Sequence, residues 1–489
     1  VSIEKQAARG VAWNMATGVG TRVVGLVGTL ILTRFIAPAE YGEVSAAAVC
    51  VGTANVLVFF AFGQYIIANK SPGDVAFQAA ALHFGLGVVA MAGVFALRGP
   101  LGAMLDAPGM GRFILGYSVA VLLERARLVP AAVLVRDLRF RAVAIINSIG
   151  ELTFTGTALA LASRWGGYAI VAGAFARSTI TFVLFAAAAP RSEWLTPVRL
   201  QKEVAGRLFS YGTPIMMSVV ADRAASTWDN LIMLRLFGAK VMGTYALSYS
   251  LAETPLIYVA ERMGDVLMPA FSKMQAGDRP AAVVRAAGMM ALVVAPLGVG
   301  LGAVAPTIVR VFFDARWGGM GSILMMLSVM TVFQPVPWSA IAYLQAEKIT
   351  RPIMVMSIAR TTLLLALVAL LGWLGGPTWA CVGVGAGYAA HSMLTVVVTA
   401  RFTPLPVRGY FVSVLRPLLA CVPMFAAVWS LRVFLDGRHV PGPLSLAAQV
   451  VCGGLVYLGA VLIFADANVR ELMRLVRLGP STAAEERVP

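Results

Sequence analysis

Residues 444–465 read LSLAAQVVCGGLVYLGAVLIFA, an apolar stretch without a single Asp, Glu, Lys or Arg. Wound as a helix at about 1.5 Å per residue, such a stretch crosses the roughly 30 Å hydrocarbon layer of a bilayer. A surface helix of a soluble protein would carry a polar face, and this one has none. Working outward from it, runs of similar length and composition recur near 10–33, 44–68, 76–97, 113–135, 143–163, 168–190, 208–234, 242–268, 286–309, 320–345, 352–373, 378–400 and 413–434. The pattern predicts an all-α integral membrane protein of about 14 transmembrane helices.

Composition agrees. Of 489 residues, 59% are hydrophobic and 13% charged, against about 25% charged in a soluble domain. The net charge of +16 suggests nucleic acid at first sight, but the Lys and Arg residues are scattered between the apolar runs. That distribution fits membrane topology, so nucleic acid is excluded as a partner. Cys50, Cys381, Cys421 and Cys452 lie far apart inside apolar runs, and His83, His391 and His439 are isolated. Neither a disulfide framework nor a metal site is indicated, and no cofactor is expected.

Orientation follows from the basic residues. With the polar segment Val1–Arg9 retained in the cytoplasm, the cytoplasmic segments hold roughly 22 Lys and Arg and the opposite loops roughly 10, as the positive-inside rule requires. Both termini are expected to be cytoplasmic. Trp13, Trp165, Trp317, Trp338, Trp373 and Trp379 fall near predicted span ends, the usual depth of an interfacial aromatic belt. The longest loops, 191–207 and 270–285, are too short for an extramembrane domain.

An internal repeat organises the spans. Arg22, Arg34, Gly42 and Gly63 match Arg223, Arg235, Gly243 and Gly264 at one constant offset. An even number of spans separates the copies, so the halves share one orientation, and a substrate site is expected between them. The predicted divisions are a six-helix lobe over 1–190, a cytoplasmic linker over 191–207, a second six-helix lobe over 208–400, two further helices over 401–465 and a tail over 466–489.

A charge at the centre of a span costs at least about 2.5–3.5 kcal/mol, so such residues face a polar cavity or a partner. Asn14, Gly18, Thr21, Arg22, Gly25 and Thr29 share one face of the first span; Ser218, Asp222, Ser226 and Asp229 share one face of the seventh, with Arg223 beside it. Thr254, Tyr258, Glu261, Arg262 and Asp265 form a stripe on the eighth, with Glu253 near its middle. Glu124 and Arg125 share the fourth span, where Arg127 reaches Glu124 at i+3; Glu151, Arg177 and Arg360 are single charges in later spans. The plain reading makes these ion pairs that hold the bundle together. Arg22, Arg125 and Arg177 resist it, because bases outnumber acids in their half. Guanidinium forks bind phosphate bidentately, so Arg22, Arg125, Arg177, Arg223 and Arg262 are candidates to bind a pyrophosphate, and Asp222, Asp229 and Glu253 to couple an ion. Prolines such as Pro130, Pro296, Pro306, Pro335 and Pro337 permit bends within spans.

The sequence resembles the Wzx-type polysaccharide transporters, in the superfamily that also holds the lipid II flippases and the multidrug and toxin extruders. The resemblance rests on Gly10 and Trp13 opening the first span, on Leu32-Thr33-Arg34-Phe35-Ile36-Ala37-Pro38-Ala39-Glu40-Tyr41-Gly42 closing it, and on Arg136-Asp137-Leu138-Arg139-Phe140 after the fourth. Ala37 stands where the family usually has Gly. The resemblance implies two six-helix lobes in a V-shaped bundle, with a cationic cavity and two C-terminal helices grooved for a lipid tail. It implies flipping of undecaprenyl-pyrophosphate-linked oligosaccharide, a repeat unit of O-antigen, exopolysaccharide or capsule, across the bacterial inner membrane. It also implies that Arg22 and Arg262 correspond to cavity arginines of the lipid II flippases. The partners it implies are the lipid-linked glycan and membrane lipid, with room for a polysaccharide polymerase and export proteins. Asp222 and Asp229 depart from a purely cationic cavity and keep open the alternative of cation-coupled drug efflux. A membrane-embedded glycosyltransferase would need a catalytic cluster on a long loop, and none is present, so no enzyme is expected.

Overall fold

The computed structural model describes residues 24–69 and 73–466, together with Gly20 and Arg470. Its helices are α1 (24–32), α2 (Pro38–Leu57), α3 (Phe62–Asn69), α4 (Gly73–Ala96), α5 (Arg98–Met104), α6 (Gly111–Arg136), α7 (Phe140–Trp165) and α8 (Tyr168–Ala188). They continue with α9 (Lys202–Lys273), α10 (Arg279–Phe312), α11 (Met320–Met330), α12 (Trp338–Ala346), α13 (Arg351–Gly375), α14 (Pro377–Phe402), α15 (Val407–Gly437) and α16 (Gly442–Phe464). No strand occurs among the described residues.

Proline at a first helical turn sacrifices no hydrogen bond, and it opens α2, α10, α13, α14 and α16. Among the described residues, ten stretches are long and apolar enough to cross a membrane, or eleven if α2 and α3, which meet at a 46° bend, form one span. The expectation of 14 counts in addition the charged α6, the second arm of α9, and the first span, of which the described residues include α1. The arms of α9 meet at Gly238, whose φ of 78° and ψ of 174° belong to no helix and suit only glycine.

Contacts divide the chain into two compact units, 1–246 and 247–489. In the first, residues from α2, α4, α6 and α8, among them Val51, Met91, Phe113 and Val171, form a shared core. In the second, α10 is the central post: 61% of its most apolar stretch is buried, against 22% in α13 and α15 and 28% in α16. The outer helices turn apolar side chains outward, with Trp373 and Ile463 more than three-quarters exposed or close to it (75% and 78%). In water that surface would drive aggregation; against lipid tails it is at equilibrium.

Since lipid is as apolar as leucine, hydrogen bonds and close backbone approach must join the helices. Pro296 in α10 has no N–H to offer the carbonyl of Leu292 one turn back, and the Tyr457 hydroxyl of α16 donates to that oxygen at 2.8 Å. Further along, the Thr307 hydroxyl donates to the buried Gln449, whose amide donates to Ser445. The span over 320–346 is broken between α11 and α12, and side chains again serve the freed backbone: Ser392 donates to the Phe333 carbonyl at 3.0 Å and Tyr410 to that of Val336 at 2.5 Å.

The first unit holds an approach of another kind. A β-carbon on Gly42 would collide with the carbonyl of Ala239, and one on Gly243 with the carbonyl of Pro38. Gly42 and Gly243 are partners in the internal repeat, and so, at the same offset, are Pro38 and Ala239. Each copy thus packs its glycine on the other copy's carbonyl, the reciprocal contact that a two-fold internal relation produces.

Candidate functional site

Arg125 sits on α6 and is 3% exposed. Its Nε donates to Asn55 Oδ1 at 2.6 Å, one terminal nitrogen to the Asn55 carbonyl at 2.6 Å, and the other to the His83 carbonyl at 2.8 Å. The guanidinium thereby fastens α2 and α4 to α6. Among the described residues no carboxylate lies within ion-pair distance of it; carbonyl dipoles carry its charge instead. A side chain so enclosed and so engaged is positioned to hold helices together.

Arg177 contrasts with it. It reaches from α8 to Glu151 on α7, with Nη1 to Oε1 at 2.9 Å, and the two side chains are 37% and 43% exposed. Its guanidinium also lies 5.8 Å from the Phe154 ring. Arg127 and Glu124 pair at 2.8 Å within α6, as their spacing predicts. The bases of the first unit therefore have more partners than counting acids and bases along the sequence suggests, because Arg125 is held by Asn55 and a backbone carbonyl and Arg177 is paired with an acid from the adjacent helix.

In the first arm of α9, Asp222 and Arg223 lie on the exposed side, and Arg223 runs along α2 beside Gly52. Asp229 is fully buried, although the sequence puts it on the same face as Asp222. Its Oδ2 accepts from the Tyr245 hydroxyl at 2.6 Å, while Oδ1 accepts from the Asn230 backbone N–H at 2.9 Å. The neighbouring Trp228 indole donates to Thr53 of α2 at 3.1 Å, fixing this part of α9. Arg22 lies outside the described residues.

The second unit contains the remaining candidates. Arg262 pairs with Asp265 at 3.3 Å, is 39% exposed, and lies 5.4 Å from the Tyr258 ring. Glu253 accepts from Gln334 Nε2 at 2.8 Å, at the break between α11 and α12, so a carboxylate stands where a span is interrupted. Nearby in the chain, the Tyr249 and Tyr388 hydroxyls hydrogen-bond at 2.7 Å. Among the described residues no three His, Cys, Asp or Glu side chains gather as a metal site would require.

One further group, Glu40 and Glu43, had no role assigned from the sequence. Glu40, in the motif that closes the first span, accepts from the Gly167 backbone N–H at 2.8 Å, and Glu43 pairs with Arg112 at 2.9 Å. Two acids of α2 thus tie down the first turn of α6 and the turn before α8 at one end of the unit. The motif itself was visible; its partners, a backbone N–H and a distant Arg, were not.

A family model described as "Polysaccharide biosynthesis protein" matches residues 31–322. The chain is 25% identical to the succinoglycan biosynthesis transport protein ExoT of Rhizobium meliloti (strain 1021), across 98% of this chain and 99% of that protein. It is 22% identical to the lipopolysaccharide biosynthesis protein WzxC of Escherichia coli (strain K12), across 90% of both. Among solved structures it is similar to the lipid II flippase MurJ in an inward closed conformation, with a TM-score of 0.75 and 14% identity, across 93% of this chain and 99% of that one.

Proposed function

The chain belongs to the polysaccharide biosynthesis protein family, and on that premise we propose that it is a flippase that moves undecaprenyl-pyrophosphate-linked oligosaccharide from the cytoplasmic to the periplasmic leaflet of the bacterial inner membrane. It is a multi-pass transporter with both termini cytoplasmic, and it performs no bond chemistry on the glycan. The observation that carries this reading is the half-exposed Arg177–Glu151 pair within two apolar helices. Lipid is a costly environment for a part-open guanidinium, so that opening faces water or a polar headgroup. An arriving diphosphate offers the guanidinium two acceptor oxygens with more charge than one carboxylate, and Glu151 is released.

In this reading Arg177, Arg22, Arg223 and Arg262 meet the diphosphate in turn as the repeat halves 1–190 and 208–400 alternate. Arg125 acts differently, as a positioning residue that keeps α2, α4 and α6 together. Helices over 401–465 accompany the lipid tail, and polymerase and export proteins take the glycan onward. Replacing Arg177 by Ala abolishes surface polysaccharide at unchanged protein abundance, and lipid-linked repeat units accumulate in the cytoplasmic leaflet. Normal polysaccharide from a stable Arg177→Ala protein would overturn the assignment.

One observation favours a second reading, cation-coupled efflux of small molecules: Asp229 is a fully enclosed carboxylate held by a tyrosine. Under it, Asp229, Asp222 or Glu253 is indispensable, and a deletion strain becomes drug-sensitive with its polysaccharide intact. Under flipping, the same acids couple an ion to glycan movement, and polysaccharide is lost.

A further inference from the structure

Between α6 and α8, capped by the end of α7, lies an open cleft of about 640 Å³ that the transport reading does not use. Its walls are mostly apolar: Val119 of α6 faces Ala172 and Phe175 of α8, and Trp165 and Tyr168 stand at the mouth. One cation, Arg164, completes the lining. Its position in the last turn of α7 suits the helix dipole, which accounts for a base there but not for the aromatic cleft below it.

Two features together define an occupant. Arg164 is exposed, and among the described residues it has no ion pair or hydrogen-bond partner, whereas Arg112 at the same end of the unit is paired with Glu43. Its charge is left for something outside the chain. From Tyr168 to Phe175, α8 rises by about 10 Å, so the apolar wall runs some eight methylenes deep from the cation. Free phosphate would satisfy Arg164 and leave the wall bare. A zwitterionic lipid would cover the wall but leave the charge of Arg164 unbalanced, since its phosphate brings a cation of its own. The amphipathic Trp165 and Tyr168 rings, both exposed, sit where a headgroup meets its acyl chain.

We propose that this cleft binds an anionic phospholipid of the surrounding monolayer, its headgroup phosphate on Arg164 and one acyl chain along α8 as far as Phe175. The site requires only that the chain is embedded in a bilayer and stands whether or not the flipping reading does. Loss of a charge-assisted contact of this kind lowers affinity about tenfold.

The test is native mass spectrometry of the full chain, purified in detergent and mixed with equimolar phosphatidylglycerol and phosphatidylcholine of matched acyl chains. The wild type retains phosphatidylglycerol preferentially. Arg164→Gln loses that preference about tenfold, Arg164→Lys keeps it, and Ala172→Phe, which fills the cleft, lowers retention while Arg164 is intact. Melting temperatures of the variants without added lipid establish that each is folded, and phosphatidylglycerol raises that of the wild type but not of Arg164→Gln. Equal retention of both lipids by the wild type, an undiminished preference in folded Arg164→Gln, or displacement of phosphatidylglycerol by a polyprenyl pyrophosphate would each overturn the proposal.

Discussion

Arg125 and Arg177 are the same side chain in neighbouring membrane helices of one unit, and the molecule uses them in opposite ways. Around Arg125 the helices close completely, and its three hydrogen bonds end on Asn55 and the His83 carbonyl. Around Arg177 they leave an opening, and its partner Glu151 shares that exposure. The difference teaches that an intramembrane charge marks a site only when its partner can be exchanged. Backbone carbonyls cannot leave; a half-exposed carboxylate can.

The strongest way to break the contrast is to remove Arg125. Arg125→Ala strands the neutral acceptors of α2 and α4 in an apolar core, and at about 1–3 kcal/mol for each acceptor left unsatisfied we expect a loss of stability of several kcal/mol. Abundance in the membrane and the melting temperature in detergent both fall, and Arg125→Lys does not restore them because one ammonium does not reproduce the fork. Arg177→Ala is expected to do the reverse: melting is nearly unchanged, while glycan transport into vesicles falls roughly 10- to 100-fold, the worth of one or two charged hydrogen bonds.

A neutral group sharpens the point. Tyr457 serves the Leu292 carbonyl opposite Pro296 much as Arg125 serves His83, but without charge. Tyr457→Phe should cost about 1 kcal/mol. In a Pro296→Ala background the helix supplies its own N–H to that oxygen, and the cost of the same change should shrink; a double-mutant cycle on thermal unfolding measures this. Smallest of all is Glu151→Gln. A pair this exposed contributes at most about 1 kcal/mol, so melting stays within error and transport within about threefold. A larger loss of stability would mean that Arg177, too, is structural.

The sequence disclosed the helices well because lipid demands apolar length and little else. The run at 76–97 is α4 over Gly73–Ala96, and that at 413–434 lies inside α15 over Val407–Gly437. The bend between α2 and α3 was hidden: it turns at Ala61, whose φ of 49° carries no Gly or Pro signal. For the site, legibility followed distance along the chain. Glu124 and Arg127 are one turn apart and their pairing could be foreseen, whereas Glu151 and Arg177 come from separate helices, and their meeting depends on how α7 and α8 pack. Arg125 was opaque for a deeper reason, since its acceptors are mostly backbone oxygens, which every residue possesses and no sequence advertises. Asp229 shared a helical face with Asp222 and yet is enclosed, because Tyr245 of the second arm bonds it and Trp228 ties that stretch of α9 to α2.

The crossed contact of Gly42 and Gly243 acts as a spacer gauge. Where side chains interlock, a swollen residue can swing aside; a peptide oxygen has no torsion of its own to yield with. A methyl group at either glycine would therefore displace an entire helix, and since each glycine rests on the opposite copy, correcting one would leave the other still wedged. Separation of the two segments is thus fixed by backbone thickness alone, a dimension that substitution can enlarge and never reduce.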